Sequence, residues 1–182
     1  MEFEKKFLIW ENGGDYTTAN FYSVFNSINQ LRKRVKRTGE DISQGYLPLK
    51  IGKILATKLN IQLDFEPVEA RLRFDDKNYY FALKGNGTGE REEIEQEILD
   101  FHTFEKYWQK VICVINKKRL FIKHFKGFKL EIDLFSELDL ILIEIEVESR
   151  ELMTSIPILG NDVTKDTNYY ERNLVKRLFE DI

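Results

Sequence analysis

The sequence predicts a mainly β protein in which antiparallel strands form a barrel or a sandwich, with flanking helices. Charged and apolar residues alternate along most of the chain, and turn signals recur at intervals of about 8 to 12 residues. The 182 residues contain no linker, repeat or low-complexity tract. We therefore expect residues 1–182 to form a single domain.

Each element is predicted from its hydrophobic period. Period-two alternation predicts strands at 2–10, 69–75, 78–84, 90–98, 110–116, 118–124, 128–135 and 139–148. Helical periodicity predicts helices at 19–37, 100–109 and 168–180. Residues 43–66 contain Gly45, Pro48 and Gly52 around apolar pairs, which indicates short strands joined by loops. The glycines at 85–89 precede a strand and no GKS or GKT follows, so they predict a hairpin turn and not a phosphate loop.

The overall charge bears on the class of partner. Asp and Glu together number 31 and Lys and Arg 28, so the net charge is −3. Nucleic-acid-binding proteins usually carry a basic excess, because much of their affinity comes from neutralising phosphates. We therefore expect no nucleic-acid partner.

The compartment is predicted from cysteine usage and from the apolar runs. Cys113 is the single cysteine, so no internal disulfide can form, which fits a reducing compartment. No signal-peptide pattern opens the chain, and no stretch approaches the roughly 20 apolar residues of a membrane helix. We expect a cytoplasmic monomer or homodimer with no membrane partner.

The charged residues of the predicted strands recur at i and i+2 and therefore share a face. Such sets are Glu2 with Glu4 and Lys6, Arg71 with Arg73, Arg91 with Glu93 and Glu95, Lys117 with Arg119, Glu131 with Asp133, and Glu144 with Glu146. They are either solvated outer faces or the interior of a barrel whose apolar face packs outward against helices. Close carboxylate pairs repel one another unless a cation compensates them, which favours the charged interior.

A charged interior of this composition predicts a site for a metal–polyphosphate complex. Carboxylate oxygens suit Mg²⁺ or Mn²⁺, which usually arrive with substrate phosphates. Arginine matches phosphate oxygens with a planar fork, and lysine supplies a point charge. Carboxylates that converge without a metal should repel, so Glu144→Gln is expected to leave the metal-free protein at least as stable as the wild type.

These charged segments resemble, in order, the motifs of the CYTH family, also called triphosphate tunnel metalloenzymes, over most of the chain. The similar segments are Glu2–Lys6 (ExExK), Gln44–Leu47 (QGYL), Arg71–Arg73 (RxR), Lys84 with Gly85, Gly87 and Gly89 (a lysine followed by a glycine hairpin), Arg91–Glu95 (RxExE), Lys117–Arg119 (KxR), Asp133, Glu144–Glu146 (ExE) and Asp162–Tyr169 (EVTxDxxY). The chain departs from the family pattern at Asp162, where Glu is usual, and at Glu171, where Asn is expected. It also carries an extra stretch around residues 48–66.

The resemblance implies a closed eight-stranded antiparallel tunnel and hydrolysis of a small triphosphate, most simply inorganic tripolyphosphate or thiamine triphosphate, with Mg²⁺ or Mn²⁺. It implies that the catalytic metal is held by Glu2, Glu4, Glu144 and Glu146. Asp133, Glu93 and Glu95 would support a second metal or the attacking water. Lys84 would reach the scissile bridge, and the residues that grip the phosphates would be Lys6, Arg71, Arg73, Arg91, Lys117 and Arg119.

Two other functions remain open at this point. Some family members are adenylyl cyclases of the class IV type, in which a ribose hydroxyl of ATP attacks in place of water. A non-catalytic polyphosphate-binding module is the other alternative. The carboxylate pairs argue against such a module, because binding phosphate alone requires no set of metal-binding carboxylates.

Overall fold

The computed structural model describes residues 2–11, 38–75, 77–125, 128–156 and 158–180. Its strands are β1 (Glu2–Glu11), β2 (Thr38–Tyr46), β3 (Glu69–Phe74), β4 (Tyr79–Lys84), β5 (Glu90–Arg91), β6 (Glu93–Glu97), β7 (Cys113–Phe125), β8 (Phe128–Phe135), β9 (Leu140–Val147) and β10 (Asn161–Asp162). Its helices are α1 (Leu49–Lys58), α2 (Phe101–Trp108), α3 (Arg150–Met153) and α4 (Glu171–Glu180), with 3₁₀ turns at Ser136–Leu138 and Thr167–Tyr169. The helix predicted at 19–37 lies outside the described residues. Within the described ranges, no helix is both long enough and apolar enough to cross a membrane.

The strands form one antiparallel sheet that curls into a nearly closed barrel. Their order is β10-β1-β9-β8-β7-β2-β3-β4-β6. Only Glu92 separates β6 from β5, and β5 pairs with the start of β1, which returns the last strand to the first. If β5 and β6 count as one interrupted strand, the barrel consists of eight described strands. The short strand β10 pairs with the same edge of β1 as β5, farther along the strand. The predicted barrel is therefore confirmed, and the sandwich is excluded.

A short C-terminal segment completes the hydrogen bonding along β1. The backbone N–H of Val163 donates to the carbonyl of Lys6 at 2.9 Å. The backbone N–H of Lys6 in turn donates to Thr164 Oγ1 at 3.0 Å. The carboxylate of Asp162 accepts from both the backbone N–H and the hydroxyl of Thr164, at 3.0 and 2.6 Å. The Asp162–Thr164 segment therefore closes the seam of the barrel.

Two apolar clusters lie on the outside of the barrel. On β3 and β4, Leu72 and Phe81 pack beneath Leu55 of α1 and Phe104 of α2. On the opposite side the cluster comprises Phe7, Ile9, Phe128, Leu130, Ile132, Ile143, Ile145, Val147 and Ile156. Because these residues alternate with the charged ones, the charged faces point into the barrel.

A third apolar cluster lies inside the barrel and blocks one end. Leu8, Ile115 and Leu142 belong to the inward faces of β1, β7 and β9. Leu174 and Val175 of α4 pack among them and are almost fully buried. The interior is consequently apolar at the α4 end and charged elsewhere.

The interpretation of residues 43–66 as short strands and loops was wrong for residues 49–58. Residues Leu49–Lys58 form α1, which buries Leu55 on the sheet. Gly52 lies where this helix crosses β3, and a Cβ at Gly52 would be 2.3 Å from the Cβ of Ala70. The glycine therefore permits a close helix–strand approach and does not mark a turn.

The strands predicted at 110–116 and 118–124 are a single strand, β7. The polar run beginning at Asn116 resembled a turn, but Asn116 lies opposite Ser43 and accepts a hydrogen bond of 2.8 Å from the Ser43 hydroxyl. Ile115, Lys117 and Arg119 therefore lie on one continuous inward face.

Candidate active site

The charged part of the interior encloses a cavity of about 340 Å³. Among the described residues, eight carboxylates line it, from Glu4, Glu69, Glu93, Glu95, Glu131, Glu144, Glu146 and Glu171. Eight basic groups also line it, from Lys6, Arg71, Arg73, Lys84, Arg91, Lys117, Arg119 and Lys129. The remaining lining residues are Gln44, Tyr46 and Tyr170. The formal charges of the lining therefore cancel, and the space suits a small polar ligand.

Twelve of the fourteen residues proposed from the sequence line this cavity. Asp133, which is 1% exposed, contacts the lining through Lys117 and Arg119. Glu2 begins β1 opposite Arg91, and the structure describes its backbone alone. The described side chains therefore face a cavity inside the barrel, which excludes the interpretation that the charged faces are solvated outer faces.

The basic wall of the cavity consists of Arg71, Arg73, Lys84, Lys117 and Arg119, which project from β3, β4 and β7. Carboxylates of β6 form ion pairs with three of these basic groups. Glu93 lies 3.0 Å from Arg71 Nη2 and 2.8 Å from Lys84 Nζ, and Glu95 lies 2.9 Å from Arg73 Nη2. The Nε atoms of Arg71 and Arg73 are buried and find no acceptor among the described residues. Each guanidinium therefore retains a donor that a phosphate oxygen would satisfy.

The acidic wall consists of Glu4, Glu131, Asp133, Glu144 and Glu146, which project from β1, β8 and β9. Strand register places Glu4 directly opposite Glu146. The same register places Glu131 opposite Glu144. Like charges directly opposite one another destabilise a sheet, so this wall depends on cations for its stability.

Glu144 is well compensated. Lys6 Nζ lies 2.7 Å from Glu144 Oε1, and Arg119 Nη2 lies 3.2 Å from Oε2. Burial alone would raise the pKa of Glu144, but Lys6, Lys117 and Arg119 hold that pKa well below its ordinary value. The predicted repulsion at Glu144 was therefore wrong, because neighbouring strands bring two cations to this carboxylate.

Arg119 connects three carboxylates of the acidic wall. Its Nε donates to Asp133 at 2.6 Å, while Nη1 contacts Glu131 and Nη2 reaches Glu144. Burial would lower the pKa of Arg119, yet the carboxylates of Asp133 and Glu131 raise it well above the ordinary value. Both oxygens of Asp133 are thereby engaged by Arg119 and Lys117.

Glu146 is less completely compensated than Glu144. Burial, followed by the negative charge of Glu131, raises the pKa of Glu146 even though Lys129 Nζ lies 2.8 Å away. Glu131 pairs with Lys129 through Oε1 at 2.9 Å and with Arg119 through Oε2, although the buried Oε2 lacks hydrogen-bond geometry to any described donor. Under-compensated oxygen ligands of this kind are what Mg²⁺ or Mn²⁺ requires, so the residues present fit a divalent cation.

A second group of carboxylates has converging oxygens. One oxygen each of Asp133, Glu144 and Glu171 lies within 4.8 Å of the others. Lys117 contacts two of these side chains and Lys6 the third. Cations of the protein already occupy this position, which makes it less suitable for a metal than the Glu146 side.

Sequence reasoning missed several lining residues. Glu69 and Lys129 would have been found by extending the alternation by one step, from Arg71 and from Glu131. Glu171 comes from the start of α4, and its only signal was the departure from the family pattern at this position. Tertiary docking of a helix determines its place in the cavity, which alternation along strands does not report.

The comparisons with known proteins agree with this architecture. Neither a protein-family model nor a curated protein sequence matches the chain. The inorganic triphosphatase NE1496 is 24% identical, with a TM-score of 0.52 over 96% of this chain and 94% of that one. The PH1012 protein from Pyrococcus horikoshii OT3 is 19% identical, with a TM-score of 0.56 over 85% and 87%. The chain has the triphosphate tunnel fold.

A third solved structure with the triphosphate tunnel fold is named for a second activity, adenylyl cyclase. The candidate adenylyl cyclase HpAC1 from Hippeastrum, for which a dominant triphosphatase activity is described, is 15% identical. Its TM-score is 0.50 over 85% of this chain and 83% of that one. At these identities the likeness establishes the fold, so the activity has to be argued from the cavity.

Proposed function

We propose that this protein is a divalent-metal-dependent hydrolase of a small triphosphate. One observation carries the proposal: a buried cavity in which eight carboxylates and eight basic groups balance each other, with half of the acids on one wall and most of the bases on the other. A phosphate chain supplies the negative charge that the basic wall binds. Carboxylates that lose their basic partners to the substrate then require a cation, which accounts for the metal. The triphosphatase NE1496 among the structures of this fold supports the same assignment.

The proposed metal ligands are carboxylates of the acidic wall and the start of β1. Glu4, Glu144 and Glu146, with Glu2, would hold Mg²⁺ or Mn²⁺ once a phosphate chain takes Lys6 and Arg119 from Glu144. Such a cation, when bound, neutralises charge on the transferred phosphoryl group. Asp133 would bind a metal only if Lys117 and Arg119 turn toward the substrate, since both cations now hold its oxygens.

The basic groups would bind and polarise the phosphate chain. The proposed phosphate-binding residues are Lys6, Arg71, Arg73, Arg91, Lys117 and Arg119. Lys84, held 2.8 Å from Glu93, would stabilise the charge that develops as the phosphoanhydride bond breaks. Glu93 and Glu95 would accept the proton of the water whose oxygen bonds to phosphorus, with phosphate and the shortened chain as products.

Inorganic tripolyphosphate is the substrate that the lining favours. Sixteen of its residues are charged, and two, Tyr46 and Tyr170, are aromatic. Little surface remains to hold a nucleobase or the rings of thiamine triphosphate. We propose a cytoplasmic enzyme, formed by the single domain 1–182 as a monomer or homodimer, with no nucleic-acid or membrane partner.

The test is turnover of three substrates with two metals. Tripolyphosphate, thiamine triphosphate and ATP are each incubated with the protein and Mg²⁺ or Mn²⁺, and phosphate, pyrophosphate and cyclic AMP are measured. We expect release of phosphate from tripolyphosphate, abolished by EDTA and by Glu4→Gln. Release that EDTA leaves unchanged would contradict the metal requirement.

Two other results would identify the alternatives. Cyclic AMP formed from ATP would identify an adenylyl cyclase, the function suggested by the likeness to HpAC1. Tight binding of tripolyphosphate without turnover under any condition would identify a polyphosphate-binding module.

A further inference from the structure

Glu171 occupies the cationic inner end of the cavity. It is the first residue of α4 and is 8% exposed. Lys117 donates to its Oε1, Gln44 Nε2 donates to Oε2 at 2.6 Å, and Arg71 Nη1 lies 3.6 Å from Oε2. The carboxylate is therefore bound as an anion by groups that would otherwise be available to a phosphate.

This carboxylate cannot readily leave its position. Leu174 and Val175, one turn further along α4, are buried in the apolar cluster that fills the end of the barrel. The backbone of Glu171 is therefore held in place, and Lys117, Gln44 and Arg71 hold the carboxylate itself. The start of a helix also favours a negative charge. The neighbouring cations hold the pKa of Glu171 well below its ordinary value despite burial, so the group is ionised at neutral pH.

The carboxylates of β6 differ from Glu171 in this respect. Glu93 and Glu95 lie on β6, and their side chains are 15% and 31% exposed. They can turn away when a phosphate chain takes Arg71 and Arg73. Glu171 is fixed, and beyond it lie the apolar side chains of the blocked end.

We propose that Glu171 is a specificity residue that occupies the innermost phosphate subsite as a built-in anion and thereby limits the number of phosphates the cavity accepts. A fourth phosphate would have to enter the space between Lys117 and Arg71, where the fixed carboxylate repels it. The inference rests on the proposed binding of a phosphate chain in this cavity. The cavity is expected to bind chains of three phosphates more tightly than longer chains.

The experiment compares two variants with the same change of charge. Glu171→Gln removes the anion held by Lys117 and Gln44, whereas Glu69→Gln removes a carboxylate of the same lining that also faces Arg71. Calorimetry in EDTA, in which the proposed enzyme does not turn over, gives the dissociation constants of tripolyphosphate and tetrapolyphosphate. We expect the preference for the shorter chain to fall by about tenfold or more in Glu171→Gln, the effect of one charge-assisted hydrogen bond, and to stay unchanged in Glu69→Gln.

Thermal melts with inorganic phosphate provide a second readout. Phosphate should raise the Tm of Glu171→Gln more than that of the wild type or Glu69→Gln, because it fills the vacated subsite. If Glu171→Gln does not fold, Glu171→Ser, which also removes the charge, takes its place. Equal changes in the Glu171 and Glu69 variants would overturn the proposal, as would loss of Mg²⁺ stabilisation in the Glu171 variant, which would make Glu171 a metal ligand. Turnover of tripolyphosphate by the wild type is scored separately and tests the proposed function alone.

Discussion

The two walls of the cavity differ in how their charges are compensated. On the basic wall, Arg71 and Arg73 are balanced by Glu93 and Glu95, which come from the partly exposed strand β6. On the acidic wall, Glu131 and Asp133 are 1% exposed, and Arg119, which reaches them from the basic wall, is buried with them. One wall has partners that a ligand can displace, and the other is cross-linked inside the protein.

This difference indicates an order of exchange on ligand binding. A phosphate chain can replace the β6 carboxylates on the arginines at little cost, because those carboxylates can turn toward water. It cannot take Lys6 or Arg119 without exposing Glu144 to its like-charged neighbours. Metal and triphosphate should therefore bind cooperatively, each raising the affinity for the other.

The largest effect is expected from removing the cation that cross-links the acidic wall. Arg119→Met leaves Glu131, Asp133 and Glu144 without their shared partner and should lower the free energy of unfolding by about 3–5 kcal/mol. Arg73→Met, the matched change at the displaceable partner Glu95, should cost roughly 1 kcal/mol or less. Urea denaturation of both variants measures the difference, and equal losses would remove the distinction between the walls.

The next effect separates binding from chemistry within the basic wall. Lys84→Met should lower kcat for tripolyphosphate by roughly 100-fold, because charge near the breaking bond matters most in the transition state. Arg73→Met should mainly raise KM, because its guanidinium holds phosphate oxygens in the ground state as well. Steady-state kinetics checks both changes, and identical changes in kcat and KM for the two variants would contradict the assignment.

The charged interior could be predicted from the sequence because alternation in a strand does not depend on tertiary structure. Residues such as Arg71 and Arg73 share a face wherever the strand lies. The pairing of opposite charges could not be predicted in the same way. It depends on strand register, which brings Lys6 opposite Glu144 and which hairpins and bulges determine.

Two further features depend on tertiary packing. The helix α1 was missed because Pro48 and Gly52 are also turn residues, and the packing of Gly52 on Ala70 is a long-range contact. Glu171 was missed because an acidic residue at a helix start is common for local reasons alone. Its role follows from the docking of α4 in the end of the barrel.

A smaller effect tests the compensation of Glu144. Glu144→Gln removes the partner of Lys6 and should lower stability by about 2 kcal/mol at neutral pH without metal. The folded pKa of Glu144 lies below its ordinary value of 4.5, so its contribution is complete above that pH and is lost as the pH falls further. Melts from pH 7 to pH 3 should therefore show a constant stability difference down to about pH 4.5 and a shrinking difference below it. A variant that is as stable as the wild type at pH 7 would restore the repulsion predicted from the sequence.

The smallest effect has the opposite sign and comes from Glu146, the next inward position on the same strand as Glu144. Glu146 has a raised pKa, so its ionised form costs stability above that pKa, and the cost disappears as the pH falls toward 4.5. Glu146→Gln should then stabilise the metal-free protein at neutral pH by at most about 1 kcal/mol, since the side chain is 27% exposed. With Mg²⁺ and tripolyphosphate the order should reverse, because the wild type gains a bound cation that the variant holds more weakly. Thermal melts of the wild type, Glu144→Gln and Glu146→Gln, with and without both ligands, measure the two stability changes, which are expected to differ in sign. If Glu146→Gln is destabilising without metal and keeps the full ligand shift, its carboxylate is compensated like that of Glu144, and the metal must be sought elsewhere on the acidic wall.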